Sequence, residues 1–322
     1  MPKVLVVDPA LAGIAGRLRE LLPGVDVAVV GSFDDGELAG LADGATVILN
    51  ARRRIDGRTL AGAPDVRFVQ LIGVGYDSVD LAAMSAAGVA VAYNPGVNRE
   101  GAAEHTVMLM LALIKGLALS ERTSREGRFA TGEVIAAGID DLGGATVGLV
   151  GMGDIGTAVA ERLVGFGARI RYHTRRPVPD AESRLGAIRS SLAELLAGSD
   201  IVSLHVPLSP ETHHLIGDVE LAAMRPGSYL VNAGRGGLVD EDALRRSIEN
   251  GHLAGAALDV LENETAGRNP FADVPAVIVT PHLGGASRRS MEGVATRSAA
   301  NIRRFLAGEP IVDPVPGSGQ GA

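Results

Sequence analysis

The sequence contains no cysteine and no tryptophan, and aromatic residues fill only 3% of its 322 positions. Without cysteine the chain forms no disulfide, no thiolate metal site and no cysteine nucleophile. Few aromatic side chains leave little material for platforms on which nucleic-acid bases stack. Basic residues are also in the minority, since 30 Lys and Arg against 38 Asp and Glu give a net charge of −8. The composition therefore argues against a nucleic-acid partner.

Long hydrophobic runs are missing as well. The longest, residues 107–114, stops at Lys115 and falls well short of the ~20 residues that a membrane helix needs. The apolar run at residues 4–7 is too short for a signal peptide. We therefore expect no membrane partner and a cytoplasmic location. With 46% hydrophobic and 21% charged residues the chain should fold, and its length favours two domains.

Short Val, Ile and Leu runs alternate with Ala- and Leu-rich stretches of helical period, a pattern typical of parallel sheets covered by helices on both faces. The first series of predicted strands comprises residues 3–7, 25–29, 46–49, 67–71 and 89–92. The second comprises residues 146–150, 169–172, 200–204, 229–232, 255–258 and 277–280. A helical stretch, residues 99–125, connects the two series, and the Gly-, Pro- and Ser-rich tail from Asp313 is predicted to be frayed. The expected fold class is α/β, with two doubly wound parallel sheets.

A glycine motif follows the first strand of the second series. Gly151, Gly153 and Gly156 fit the pattern G-x-G-x-x-G, which alone is weak evidence in a chain with 43 glycines. Here the motif follows a predicted strand and begins a helix with apolar residues at every fourth position, so both contextual conditions are met. The sequence therefore predicts a dinucleotide site in which residues 151 and 153–156, including Asp154 and Ile155, lie against the pyrophosphate.

The residues after the next strand bear on the choice of cofactor. An NAD site is expected to have a carboxylate there for the ribose 2′-hydroxyl, whereas this sequence has Thr174, Arg175 and Arg176. Two guanidinium groups suit a 2′-phosphate, so NADP(H) is the preferred cofactor and NAD(H) a possible one. The alternative, that the arginines are solvated loop charges, stays open.

Three later strands are each followed by polar residues that could take part in chemistry. Ala233 and Arg235 follow the strand at 229–232, Asp259 and Glu264 follow 255–258, and His282 follows 277–280. In open α/β sheets, ligands bind beyond the carboxyl ends of the strands, so these residues form a candidate site.

Together with the glycine motif, these residues resemble the D-isomer-specific 2-hydroxyacid dehydrogenase family, in particular its glyoxylate and hydroxypyruvate reductases. The resemblance extends over nearly the whole chain and includes residues 73–80, 94–96 and 103–106. It implies a Rossmann-type cofactor domain, residues 99–286, inserted into a flavodoxin-like substrate domain, residues 1–98 plus 287–322, with the active site in the cleft. It also implies a homodimer.

The resemblance assigns roles to the candidate residues. Arg235 would bind the substrate carboxylate and polarise the 2-keto oxygen, and its planar fork suits a carboxylate. His282 would be the general acid of reduction and the base of the reverse reaction. Glu264 would hold the His282 ring in its protonated form, although Glu262 is an alternative partner. Asp259 would bind the nicotinamide side of the cofactor, and the backbone of Val74 and Gly75 would bind the substrate carboxylate.

The remaining polar residues have plainer interpretations. Val206, Pro207 and Thr212 look like residues of the cofactor-site wall, and His205 beside them is expected to pack there. His213 and His214 form an adjacent pair without a third ligand at useful spacing, so no metal site is predicted.

The favoured function is reduction of a small 2-keto acid by NADPH or NADH to a D-2-hydroxy acid. A phosphoglycerate dehydrogenase is an alternative enzyme, because Arg52, Arg53 and Arg54 leave room for a larger anionic substrate, although a solvated turn explains them equally well. An alternative of another class is a nucleotide-sensing protein like the corepressors that share this fold.

Overall fold

The computed structural model describes residues 1–264 and 267–318 and contains two compact units. Unit 1 is formed by residues 1–98 together with the chain from residue 285 onward, and unit 2 by residues 99–284. The last four residues of the predicted substrate domain, 319–322, lie outside the described residues. The assignment of one unit to substrate and the other to cofactor stays a prediction.

Unit 1 contains a five-stranded parallel sheet. Its strands are β1 (Lys3–Val6), β2 (Asp26–Val29), β3 (Ala45–Asn50), β4 (Phe68–Leu71) and β5 (Ala90–Ala92), in the order β2-β1-β3-β4-β5. This is the flavodoxin-like strand order. The helices between these strands are α1 (Ala12–Leu21), α2 (Asp35–Leu41), α3 (Gly57–Ala61) and α4 (Leu81–Ala86).

Unit 2 contains a seven-stranded parallel sheet. Its strands are β6 (Thr146–Val150), β7 (Arg169–His173), β8 (Ile188–Arg189), β9 (Ile201–Leu204), β10 (Tyr229–Asn232), β11 (Gly255–Leu258) and β12 (Val277–Val279). The order β12-β11-β10-β9-β6-β7-β8 extends the Rossmann arrangement by one strand and reverses direction between β6 and β9. The two doubly wound parallel sheets expected from the sequence are therefore confirmed.

Eight helices accompany this sheet in the described part of unit 2: α5 (Arg99–Ile114), α6 (Leu117–Arg125), α7 (Thr131–Ala136), α8 (Asp154–Gly165), α9 (Pro179–Leu185), α10 (Leu192–Gly198), α11 (Asp218–Ala223) and α12 (Glu241–Glu249). The continuous helical stretch predicted for residues 99–125 is wrong, because Gly116 adopts a left-handed conformation (φ 59°) between α5 and α6. Within the described residues no single helix is long and apolar enough to cross a membrane, and α5 and α6 meet the length and composition criterion only when joined across a 67° bend.

The chain completes unit 1 with α13 (Arg288–Leu306), which packs on α1 and β4. Phe305 of this helix stacks on Phe68 with ring centroids 5.0 Å apart. The frayed tail predicted from Asp313 is wrong over the described residues. Arg297 pairs with Asp313 at 2.6 Å, Pro314 bridges to Ala92, and Val315 is buried. An ion pair, a backbone bridge and a buried side chain hold residues 313–315 on unit 1.

Candidate active site

The glycine motif connects β6 to α8. The Gly151 amide donates to the carbonyl of His173 at 2.9 Å, and Gly153 is the N-cap of α8 without a side-chain hydrogen bond of its own. A Cβ at Gly156 would overlap the Gly151 carbonyl oxygen, so only glycine allows the helix to begin this close to the strand. Asp154 and Ile155 begin the helix, and the Asp154 side chain is exposed. An uncapped helix N-terminus beside a close turn is a site that suits a phosphate group.

The loop after β7 presents its arginines to solvent. Arg175 and Arg176 are exposed, and the Thr174 hydroxyl donates to the Arg176 carbonyl. Sequence reasoning missed Arg189 on β8, whose guanidinium donates to the carbonyls of Thr174 and Arg175 at 3.1 and 3.2 Å. A third cation therefore holds the backbone that carries the other two.

The residues after β9 pack around the glycine motif. The backbone of His205 and the side chain of Val206 lie against Gly151, and Thr212 closes the turn that begins at Pro207 by donating to its carbonyl at 2.7 Å. Burial lowers the pKa of His205 to about 4, and its Nε2 lies 3.0 Å from the Ser203 hydroxyl. His205 is thus a neutral packing residue at neutral pH, as its position in the sequence suggested.

The loop after β10 carries Ala233 and Arg235 and is fixed by Asn232. The Asn232 side chain accepts from the Gly234 amide at 3.0 Å and donates to the Arg235 carbonyl at 2.8 Å. A Cβ at Gly236 would overlap the backbone of Leu261, so this glycine lets the Arg235 loop touch the loop after β11. The Arg235 side chain is half-buried and donates from Nη1 to the Gly234 carbonyl.

His282 and Glu264 are in direct contact. His282 Nδ1 lies 2.7 Å from Glu264 Oε2, and both side chains are partly buried. The His282 backbone adopts φ 56°, a conformation that is uncommon for a residue other than glycine. Its amide donates to the carbonyl of Asp259 at 2.8 Å, which anchors the His282 backbone to the residue that follows β11. The alternative partner, Glu262, contacts other histidines.

Asp259 holds the loop that carries His282. Its carboxylate accepts hydrogen bonds from the Thr280 hydroxyl and from the amides of Leu283 and Gly284 at 2.6–2.8 Å. Burial raises the pKa of Asp259, but the hydrogen bonds, including one from His105, outweigh that effect and hold its pKa below the ordinary value. A contact of Asp259 with the nicotinamide stays a prediction.

His105 is a residue that sequence reasoning did not assign to the site. It belongs to α5, and its Nε2 lies 3.0 Å from both Asp259 Oδ1 and the Thr280 hydroxyl. The only signal in the sequence was its position within residues 103–106, one of the segments of family resemblance.

The histidine pair after β9 has a third potential ligand, contrary to the sequence interpretation. Glu262 Oε1 lies 3.0 Å from His214 Nε2 and 3.5 Å from His213 Nε2. The separation of 48 residues along the chain hid this contact, which forms because the loops after β9 and β11 meet.

In unit 1, Val74 and Gly75 lie in the loop after β4, and Val74 is exposed. The three consecutive arginines after β3 differ in surroundings. Arg52 pairs with the buried carboxylate of Asp8 at 2.9 Å, and Arg53 is buried and donates to the carbonyls of Phe33 and Asp34. Arg54 is exposed and lies 3.4 Å from Asp56. The interpretation of this run as a solvated turn is therefore wrong for Arg53.

Comparison with known proteins gives consistent matches. A family model described as D-isomer specific 2-hydroxyacid dehydrogenase, NAD binding domain, matches residues 107–284. A D-3-phosphoglycerate dehydrogenase of Mycobacterium tuberculosis is 36% identical over 316 residues, which are 98% of this chain and 59% of that protein. The chain thus spans about three-fifths of the length of the phosphoglycerate dehydrogenases that it matches.

A relative of similar length and one solved structure extend the comparison. A glyoxylate reductase of Thermococcus litoralis is 36% identical over 260 residues, covering 80% of this chain and 78% of that protein. The crystal structure of D-lactate dehydrogenase from Aquifex aeolicus, complexed with NAD and lactic acid, aligns with a TM-score of 0.83. Its sequence is 28% identical, and the match covers 95% of this chain and 96% of that one.

Proposed function

Because the chain belongs to the D-isomer specific 2-hydroxyacid dehydrogenase family, with its NAD-binding domain in unit 2, we propose that it reduces a small 2-keto acid to the D-2-hydroxy acid. Glyoxylate and hydroxypyruvate are the proposed substrates. The observation that carries this proposal is the 2.7 Å contact between His282 and Glu264, at the carboxyl edge of the same sheet as Arg235.

The chemistry follows from these side chains. Arg235 binds the substrate carboxylate through its guanidinium and polarises the 2-keto oxygen. Glu264 engages Nδ1 of His282, so Nε2 carries the proton that is given to that oxygen. A bound nicotinamide cofactor supplies the hydride that reaches C2. The contact of the Val74 and Gly75 backbone with the substrate stays a prediction.

The residues of unit 2 fit a dinucleotide. The uncapped N-terminus of α8 and the close approach at Gly156 suit the pyrophosphate, and Ala233, Val206, Pro207 and Thr212 form the wall of the site. We assign a preference for NADP(H) over NAD(H) to Arg175 and Arg176, supported by Arg189 behind their loop. A 2′-phosphate carries negative charge that pairs with such a cluster, whereas a 2′-hydroxyl carries none.

A phosphoglycerate dehydrogenase is the second candidate. The identity to the mycobacterial enzyme over 98% of this chain favours it, and the exposed Arg54 after β3 is a cation that a larger anionic substrate could use.

We further propose that the protein is a homodimer. An apolar groove on unit 2 is lined by side chains of α5 and α8 and their ends, among them Val107, Met108, Leu111, Leu117 and Phe166. Exposed apolar side chains grouped on one surface suit contact with a second copy of the chain. The cytoplasmic location expected from the sequence stays a prediction.

The proposed activity is tested with pure protein, each of glyoxylate, hydroxypyruvate, pyruvate and 3-phosphohydroxypyruvate, and NADPH or NADH. Loss of reduced-nicotinamide absorbance measures turnover. We expect the highest kcat/KM with glyoxylate or hydroxypyruvate, and a fall of at least about a hundredfold in the His282→Asn variant. Preference for 3-phosphohydroxypyruvate would favour the second candidate.

The Glu264→Gln variant tests whether Glu264 acts through His282 or independently of it. If Glu264 acts through His282, the double variant with His282→Asn is no slower than His282→Asn alone. If the protein binds the cofactor but reduces none of the 2-keto acids with NADPH or NADH, the proposed dehydrogenase activity is overturned. That result would favour a nucleotide-sensing protein.

A further inference from the structure

The cluster of His213, His214 and Glu262 offers a ligand set that the proposed dehydrogenase chemistry does not use. One ligand atom from each residue lies within 4.8 Å of the others. The two imidazole rings stack with centroids 4.0 Å apart, and both Nε2 atoms face the same carboxylate oxygen of Glu262 at 3.0 and 3.5 Å. We propose that these three residues form a binding site for a divalent transition-metal ion of the zinc class.

The spacing of the ligand atoms agrees with zinc coordination. Nitrogen and oxygen ligands at 2.0–2.2 Å from a tetrahedral zinc ion lie about 3.3 Å from one another. The distances from Glu262 to the two histidines lie on either side of that value. The position of Glu262 relative to each histidine therefore fits a zinc ion, and the two stacked rings turn toward the ion when it binds. Two imidazoles and one carboxylate leave a fourth position for water.

Hydrogen bonds fix the backbone of all three ligand residues before an ion arrives. The His213 amide donates to the Ser209 carbonyl at 2.9 Å, and the His214 amide donates to the Gly237 carbonyl at 2.8 Å. The Glu262 amide donates to the Glu241 side chain at 2.7 Å. His214 has φ 49°, a left-handed conformation that few residues other than glycine adopt, and this conformation belongs to the turn that stacks the two rings. Binding therefore has to order only the three side chains, on a backbone that is already fixed.

The chemistry of the ligands selects the class of ion. Imidazole suits zinc, nickel and copper, whereas magnesium and calcium require oxygen ligands. The side chains of His213, His214 and Glu262 are 53%, 36% and 41% exposed, so an ion enters directly from solvent. Such an exposed site exchanges its ion with the medium.

A bound ion would connect two loops of unit 2. His213 directly follows Thr212, which closes the turn after β9, and Glu262 lies two residues before Glu264 in the loop after β11. Coordination would thus fix the loop that carries Glu264. The binding itself does not depend on the proposed dehydrogenase activity and is measured without substrate.

The test is calorimetric titration of zinc chloride into the full chain, prepared without a polyhistidine tag and freed of metal with a chelator that is then removed. We expect one saturable zinc ion per chain. Three variants each remove one ligand: His213→Gln, His214→Asn and Glu262→Gln. Asparagine is chosen at residue 214 because it tolerates a left-handed backbone. Each variant should bind zinc at least about tenfold more weakly.

The control is His252→Gln, which removes a histidine of unit 2 that contacts the Met224 carbonyl and not the cluster. Zinc affinity should be unchanged in this variant. Cobalt provides an independent measurement, since four-coordinate Co²⁺ absorbs visible light much more strongly than octahedral Co²⁺, and this absorbance should disappear in the three cluster variants. The site would be overturned if the original chain bound no zinc. It would also be overturned if the three cluster variants bound zinc as tightly as the original chain.

Discussion

At the scale of single residues, the loop after β7 combines cations with one nearby acid. Hydrogen bonding from Ser209 lowers the pKa of Glu211, and the charge of Arg175 adds to this effect. Arg175 therefore lies within electrostatic range of a carboxylate on the neighbouring loop. Arg175, Arg176 and Arg189 form the cation cluster proposed for a 2′-phosphate.

Replacement of Arg175 by alanine should weaken the binding of NADPH much more than the binding of NADH. Loss of a charge-assisted hydrogen bond of about 1.5–3 kcal/mol corresponds to roughly a 10- to 100-fold rise in the KM for NADPH. Arg169→Ala is the matched control, because Arg169 begins the same strand at its opposite end, where it bonds to Thr146. Steady-state kinetics with both cofactors measures the effect. An equal change in KM for NADPH and NADH would show that Arg175 does not recognise the 2′-phosphate.

His205 should make stability dependent on pH. Its folded-state pKa of about 4 lies below the ordinary value of 6.5, so the unfolded chain binds more protons between these values. The contribution of His205 to the free energy of unfolding is therefore fully present above pH 6.5 and is lost as the pH falls toward 4. Between pH 7 and pH 5 the loss is about 2 kcal/mol.

Urea unfolding at pH 7 and pH 5 measures this effect in the original chain and in His205→Gln. The carboxylates titrate in both proteins, so the difference between the two losses isolates His205. We expect the variant to lose about 2 kcal/mol less than the original chain. Identical losses would show that His205 is not buried as a neutral ring.

Residues that act through partners distant in sequence were the hardest to predict. The motif order placed Arg235, Glu264 and His282 after consecutive strands, and parallel strands bring their carboxyl ends together. The choice between Glu262 and Glu264 required the fold, because both lie in the same loop and only Glu264 reaches His282. His105 was missed because it lies on a helix 154 residues before Asp259 (259 − 105 = 154).

At the scale of elements, the strands were predictable and the breaks between helices were less so. Buried Val, Ile and Leu runs marked the central strands, whereas β8 was missed because its two residues, Ile188 and Arg189, are both exposed at the sheet edge. The break between α5 and α6 depends on one backbone conformation at Gly116, which hydrophobic periodicity does not report.

Two glycine substitutions test this interpretation of the break. Gly116→Ala forces a Cβ into a left-handed conformation and should destabilise the protein by about 1–2 kcal/mol. Gly165→Ala is the matched control, because Gly165 ends α8 with open space around its position, and it should stabilise the protein by about 0.4–1 kcal/mol. Urea unfolding measures both. Equal effects of the two substitutions would contradict the assigned conformation.

At the scale of the whole molecule, composition and length were informative about class but not about assembly. Alternating strand and helix patterns predicted both sheets, because parallel sheets need covering helices and leave a regular record in the sequence. Surface patches leave no such record. Residues 107–114 are all apolar, yet Met108 is half exposed while its neighbours Leu109 and Met110 are fully buried. Only the fold separates the face of α5 that fills the core from the face that forms the groove.

The apolar groove predicts a dimer that one charge should disrupt. Met108, Leu117 and Phe166 are about half exposed, and a buried carboxylate without a partner is strongly unfavourable. We expect the original chain to have twice the 33.0 kDa chain mass in light scattering, and Met108→Glu to shift toward the single-chain mass. Val219→Glu is the matched control, since Val219 is an exposed apolar residue of unit 2 outside the groove, and it should leave the mass unchanged. A monomeric original chain would overturn the proposed dimer. A Met108→Glu variant that stays dimeric would place the interface elsewhere.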